Sequence, residues 1–412
     1  MGALGNSFSN VTDREEGPFP LPIPAHALRS VRVLLVVESA GGGTGRHVLD
    51  LAEGLIARGC EVHLIYSTGR MDKLFEGRLS AMKTLRRHAI PMRTGIHPSD
   101  FAVARKIRNY LREHGPFDAI HGHSSKGGAL ARLAAFGTGT PAHYTLHGLI
   151  MMDPGLARWK RMFYLAVELA LSLRTARIVA VSPEEARAAT RLGLDKSRVV
   201  LIPNGVGPAK LTPRADARRE LGVSSDSVVT GFVGRLVDQK APDVLLRAFA
   251  RAVDAAPNAR LAMVGAGPLE GDLRALSQEL NIADKIIWLG ERDAREVLAA
   301  FDIFALSSRK EGLPYVVLEA MAAGLPVVAT SSAGVEILIE PGVSGNVIAP
   351  NDAIAFGDAL ARLSCDGGLR HRFGQAALER AGRFSVDAMV DRTLVAYLSG
   401  LDDESTELAT AQ

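Results

Sequence analysis

At 412 residues the chain is too long for one ordinary core, so two domains of roughly 180 residues are expected. A hydrophobic share of 47% with 23% charged residues is that of a soluble globular protein. The two cysteines, Cys60 and Cys365, exclude a disulfide framework or a cysteine metal site and favour a reducing cytosol.

Residues 1–27 are Pro-rich and acidic ahead of any apolar run, which predicts a flexible tail rather than a secretory signal. Val31 to Val37 is a nearly continuous β-branched run, hence a buried parallel strand. Gly41 to Gly45 form the next turn, and Val48, Leu49, Leu51, Ala52, Leu55 and Ile56 mark a helix closing at Gly59. Glu61 to Tyr66 is the second strand. The alternation continues through strands Ala119 to His121 and Ala142 to Leu146, a helical stretch Leu156 to Leu173, and strands Ile178 to Val181 and Val199 to Ile202. The longest apolar stretch, Met162 to Leu173, is broken by Glu168 and is short of the ~20 residues that span a bilayer. Trp159, Phe163 and Val167 share one face of this helix, which suits either a core contact or a membrane contact.

A loose, Pro-containing segment near Gly207 to Pro213 marks the linker. Strands then recur at Val228 to Val233, Arg260 to Val264, Lys285 to Leu289, Ile303 to Leu306 and Val327 to Ala329, and a final helix spans Val386 to Leu398. Two doubly wound α/β domains in tandem leave a cleft between the carboxyl ends of their strands, where a ligand belongs. Residues 28–210 hold 27 Lys and Arg against 14 Asp and Glu, whereas residues 211–412 hold 20 against 28. No recognition motif supports nucleic acid as the partner of the basic half. An anionic membrane surface carrying a lipid-linked substrate fits it better, beside the plain alternative of a solvated Arg-rich surface.

Candidate site residues cluster at strand ends. The Gly41–Arg46 loop can admit an anion at a helix start, yet it is no clean G-x-G-x-x-G and no acid closes the second strand at Tyr66, so no dinucleotide cofactor is expected. Arg235 and Lys240 follow the first strand of the second half, with Gly234 before them for a tight turn. Gly265 and Gly267 form another strand–turn–helix junction. His147 ends a strand, as do His121 and His123; no carboxylate or cysteine joins the latter two, so no metal is expected. Asn204 ends the last strand of the first half. In EGLPYVVLEAMAAGLPVVA, Glu311 lies in a loop and Glu319 a turn inside a helix begun by Pro314. Between them lies a helix start whose N–H groups seat an anion. Carboxylates suit sugar and ribose hydroxyls, and the helix end suits a phosphate.

That segment resembles the signature of retaining glycosyltransferases of family 4, through Ser307, Glu311, Gly312, Leu313, Pro314, Glu319, Ala320, Gly324 and Pro326, and the resemblance covers roughly residues 31 to 390. It implies the GT-B fold, with an acceptor-binding domain at 28–208, a nucleotide-sugar-binding domain at 209–385, a helix at 386–400 crossing back to the first domain and a disordered tail at 401–412. It implies catalytic roles for His147, Arg235, Lys240 and Glu311. Donor contacts would come from Gly43, Gly45, Gly234, Gly265, Gly267, Glu291, Arg292, Gly312, Leu313, Pro314, Tyr315, Val316 and Glu319, and acceptor contacts from His123, Ser124 and Asn204. No metal or cofactor is implied. The expected reaction moves a sugar, with UDP favoured in the donor, to a lipid-linked glycan of cell-surface polysaccharide assembly. It would take place in the cytoplasm, at most peripherally on the inner membrane face. The rivals are a nucleotide-sugar epimerase in the same cleft, a non-catalytic nucleotide-binding protein and, most weakly, a Rossmann dehydrogenase.

Overall fold

The computed structural model describes residues 31–152, 155–208, 211–332 and 334–399. The expected tails at 1–27 and 401–412 and part of the expected linker, residues 209–210, lie outside the described residues.

The apolar runs form two parallel sheets. The first contains β1 (Arg32–Val37), β2 (Glu61–Tyr66), β3 (Arg86–Ala89), β4 (Ala119–His123), β5 (Ala142–Thr145), β6 (Thr175–Ala180) and β7 (Val199–Leu201), in the order β3-β2-β1-β4-β5-β6-β7. The second contains β8 (Val228–Val233), β9 (Ala259–Val264), β10 (Ile286–Gly290), β11 (Ile303–Leu306), β12 (Val327–Thr330) and β13 (Gly345–Ile348), in the order β10-β9-β8-β11-β12-β13. Successive side chains of β1 enter opposite cores, Val33, Leu35 and Val37 on one face and Leu34 and Val36 on the other. A parallel sheet covered by helices demands this double burial. In each sheet the winding reverses once, between β1 and β4 and between β8 and β11. Ligands of doubly wound sheets bind at the carboxyl ends of such strand pairs.

The edge strands β3 and β13 are not foreseen in the sequence. β3 reads RRHA and is exposed at all four positions, and β13 reads GNVI. An edge strand needs neither a second apolar face nor a second partner, so it carries no apolar run to read.

The helix Val386–Leu398 packs on the first half. Met389, Val390, Leu394 and Tyr397 are buried in the core of the first half. Arg58 clasps the helix from outside, with Nε donating to Asp391 at 2.6 Å and Nη2 to Asp387 at 3.1 Å. Gly54 lies where this strap packs on the helix Gly42–Ala57, and a Cβ there would stand 2.4 Å from Val390 Cγ2. Alanine in a helix interior normally gains about 1 kcal/mol over glycine. Overpacking costs about 1–3 kcal/mol and should win here. Gly54→Ala is therefore expected to lower the urea midpoint; an increase would mean the strap is not seated on Gly54.

The helix Arg158–Ser172 does not bury its aromatic face. Arg132, on the neighbouring helix Ser124–Ala135, donates to both Glu168 oxygens at 2.6 and 3.0 Å while its guanidinium lies over Tyr144 at 4.2 Å. That ion pair turns the Glu168 face inward. Trp159, Met162, Phe163 and Leu173 are left 69%, 64%, 49% and 74% exposed, so the aromatic face does not enter the core. Among the described residues no helix is long and apolar enough to cross a membrane.

Candidate active site

The β8–β11 switch point gathers Lys240 and Glu311. Lys240 Nζ donates to Glu311 Oε1 at 2.6 Å, and Ser308 Oγ donates to the same oxygen at 2.6 Å. Ser307 holds the Lys240 turn by donating to the carbonyls of Lys240 and Ala241 at 3.0 and 2.8 Å, and Ala241 takes a left-handed φ of 46° to close it. Arg235 stands exposed at the carboxyl end of β8, with no carboxylate paired to it among the described residues. Lys240 and Glu311 are thus brought together, and Arg235 lies outside that cluster.

Glu311 leads through Gly312, Leu313 and Pro314 into the helix Tyr315–Ala322. Pro314 is the cap residue and has no side-chain hydrogen bond to offer, so the first-turn N–H groups of Tyr315 and Val316 are open to an anion. At the glycine loop the helix starts at Gly42, earlier than read from the sequence, and Asp72 already accepts from the Gly42 N–H at 2.7 Å. A carboxylate therefore occupies that helix end, whereas no side chain caps the one at Tyr315. Gly45 has another reason. A Cβ on Gly45 would come 2.8 Å from the Ala40 backbone, whereas one on Gly43 would make only ordinary contact with the Tyr315 ring at 3.5 Å. Gly265, at φ +131°, and Gly267 pack so closely on Gly234 and Leu236 that a Cβ would clash at 2.0 and 2.3 Å. This knits the strand ends β8 and β9 into one floor.

Glu319 is not free. Arg46, the residue that spoils the dinucleotide pattern, reaches across from the first half and pairs with it, its guanidinium 4.6 Å over the Tyr315 ring. Burial pushes the Glu319 carboxyl up against the pull of Arg46. Burial also opposes the charge on Arg46, but Glu319 and Asp50 raise its pKa and keep it cationic. A cavity of about 770 Å³ opens on this pair, lined also by Gly43, Asp72, Arg292, Arg295 and Tyr315. Arg292 is paired with Glu220, and Glu291 is exposed after β10.

Opposite, at the β1–β4 switch point, His147 follows β5 with φ +49°, a region rarely populated by a residue other than glycine. Ser124, at φ +58°, begins the helix after β4. His123 Nδ1 lies 3.3 Å from His147 Nε2. His47, which the sequence reading passed over, completes the cluster, its ring centroid 4.6 Å from that of His147. His121 belongs to the scaffold, bonded to Tyr397 Oη and Thr145 Oγ1, each at 2.7 Å. Asn204, expected among acceptor contacts, is 4% exposed and committed at both ends: Nδ2 donates to the Leu313 carbonyl at 3.1 Å, and Oδ1 lies 3.0 Å from His47 Nδ1. It braces the two halves instead of facing the cleft.

Burial holds these imidazoles neutral. It pushes His47 down to about 4 and His143 to about 3, and holds His121, His123 and His147 well below the ordinary value. The unfolded chain protonates them near pH 6.5, so their stabilising effect is complete above that pH and is lost as pH falls towards 4. At pH 5, His47 and His143 should each account for about 2 kcal/mol of lost stability. Glu185 and Glu319, raised by burial, act in the opposite sense but are fewer. Calorimetry should show the melting temperature falling by about 10 °C between pH 7.5 and 5. An unchanged value would contradict neutral burial.

The comparisons with known proteins agree with this geometry. Residues 41–210 match the profile of Glycosyltransferase Family 4, and residues 213–380 that of Glycosyl transferases group 1. D-inositol 3-phosphate glycosyltransferase of Actinosynnema mirum is 30% identical over 383 residues, covering 86% of this chain and 92% of that protein. UDP-Gal:alpha-D-GlcNAc-diphosphoundecaprenol alpha-1,3-galactosyltransferase of Escherichia coli is 32% identical over 260 residues, 61% of this chain and 67% of that protein. Anabaena HepE, solved with UDP and glucose, superposes with a TM-score of 0.77 at 22% identity over 90% of this chain and all of that one. With two doubly wound halves meeting at these strand ends, the chain belongs to the family 4 glycosyltransferases and has their GT-B fold.

Proposed function

We propose that this enzyme is a retaining hexosyltransferase that carries a sugar from UDP to a lipid-linked glycan of cell-surface polysaccharide assembly. The observation that carries the reading is the Lys240–Glu311–Ser308 cluster beside the open helix end at Tyr315. The donor diphosphate would lie on the N–H groups of Leu313, Tyr315 and Val316, with Arg235 and Lys240 opposing the charge that develops on the leaving phosphate. Glu311 would hold donor sugar hydroxyls and Glu319 the ribose, while His147 meets the sugar near the reacting carbon. The departing phosphate takes the acceptor proton on the same face, so neither an enzymic nucleophile nor a metal is needed.

The lipid-linked acceptor is supported by the outward stripe of Trp159, Met162, Phe163 and Leu173, accompanied by Arg158, Lys160 and Arg174. An apolar face rimmed with cations lies flat on an anionic bilayer. The E. coli relative, named for a diphosphoundecaprenol-linked substrate, points the same way. The relatives named for D-inositol 3-phosphate support a small soluble acceptor instead. Incubation with UDP-, GDP- and ADP-sugars, followed by NMR, decides the class. UDP-hexose with a lipid-linked acceptor should give an α-linked product. Conversion of donor alone would establish an epimerase, transfer to inositol phosphate would replace the acceptor, and no turnover with any donor would leave a binding protein.

A further inference from the structure

We propose that His47, His123 and His147 form a binding site for one zinc-class divalent cation. We further infer that occupancy inhibits the enzyme by filling the place where His147 meets the donor. The inhibition rests on the proposed function; the binding does not.

The three rings come from separate elements, the helix Gly42–Ala57, the end of β4 and the turn after β5, yet their ligating nitrogens all lie within 4.8 Å of one another. Zinc held tetrahedrally at about 2.0–2.1 Å from imidazole nitrogens separates those nitrogens by about 3.3–3.4 Å. His123 Nδ1 and His147 Nε2 already stand at 3.3 Å, so one edge of that tetrahedron is in place. The ligating nitrogens lie within 4.8 Å, so His47 has at most about 1.4 Å to close.

The orientation of His47 is fixed by its neighbours. A carbonyl can only accept, so Leu313 O takes the Asn204 amide N–H and leaves Asn204 Oδ1 facing the ring. His47 Nδ1 must then carry the proton, and Nε2 presents its lone pair. A metal-bound histidine is held in the same way, with its far N–H donated to an oxygen that sets tautomer and direction. His47 and His123 are buried and His147 partly so, and desolvation keeps all three neutral, as ligation requires. A hydrogen bond between His123 and His147 explains two of the rings. It does not explain why the third ring, His47, stands beside them with a free lone pair. Three imidazoles with no carboxylate select Zn²⁺, Co²⁺, Ni²⁺ or Cu²⁺ over Mg²⁺ or Ca²⁺.

The test uses the full chain stripped with a chelator. Cobalt titration should give tetrahedral visible absorption saturating at one equivalent, equilibrium dialysis should find one Zn²⁺ per chain, and Mg²⁺ should not compete. His47→Gln and His123→Gln should each weaken cobalt binding by about 100-fold or more with unchanged far-UV circular dichroism. Asn204→Ala, which frees the His47 ring without removing a ligand, should weaken it by about 10–100-fold. One equivalent of Zn²⁺ should lower UDP-hexose turnover more than tenfold, with recovery on adding EDTA. Less than about one-fifth of an equivalent bound, or cobalt spectra identical in wild type and a folded His47→Gln variant, would overturn the site. Tight binding with undiminished turnover would overturn the inhibition. Tight cobalt binding in a chain that turns over no donor would count against the proposed function and leave the site standing.

Discussion

Glu311→Gln should lower kcat/KM for the donor by about 10³-fold, a loss of about 4 kcal/mol in transition-state stabilisation. The amide keeps an oxygen for Ser308 but loses the charge that orders Lys240 Nζ at 2.6 Å. Lys240 would then be drawn to the diphosphate alone, and the sugar hydroxyls would lose an ionic acceptor. Glu311→Ala is the harsher change, because Glu311 and Lys240 side chains are only 9% and 17% exposed. Removing one partner leaves a largely buried ammonium, so a stability loss of up to about 3 kcal/mol accompanies the loss of activity. Urea unfolding must be measured beside the kinetics. A glutamine variant that keeps more than a tenth of wild-type kcat/KM would remove Glu311 from the reaction.

The second large effect concerns Arg46 and Glu319, which join the two halves across the cleft. Glu319→Ala should raise the donor KM more than tenfold with a smaller change in kcat, as expected for a contact to ribose made equally in ground and transition states. It should also destabilise the ligand-free protein by about 2–3 kcal/mol, because Arg46, 21% exposed, keeps only Asp50 at 3.4 Å. On the proposed function, ribose and Arg46 compete for one carboxylate, which makes a double-mutant cycle informative. Arg46→Met combined with Glu319→Leu should show a coupling of about 1–3 kcal/mol without ligand. That coupling should collapse under saturating UDP. Coupling unchanged by UDP would mean that Glu319 stays on Arg46 and never reaches the nucleotide.

Much of this was legible in residue order. Buried central strands advertise themselves by unbroken apolar runs, and β8 and β11 begin and end where their runs do. The helix Val386–Leu398 was expected with the bounds it has, and the structure adds its cap, Ser385, whose Oγ accepts from the Ala388 N–H at 3.1 Å. Lys240 and Glu311 each follow a strand at a turn, but it was the family resemblance of their flanking residues that singled them out. Edge strands such as RRHA carry no such signal.

The sequence by itself determined the two-half plan, the strand-end placement of the polar residues and the glutamate pair around a helix start, since these depend on local periodicity and turn chemistry. Only the tertiary structure decided which of those residues are engaged. Arg46 finds Glu319 across 273 positions, and Asn204 links His47 to Leu313 across 157 and 109. No window along the chain reports such meetings. They arise because crossover connections bring the carboxyl ends of distant strands to one cleft, where burial forces each polar group to take the partner that packing supplies.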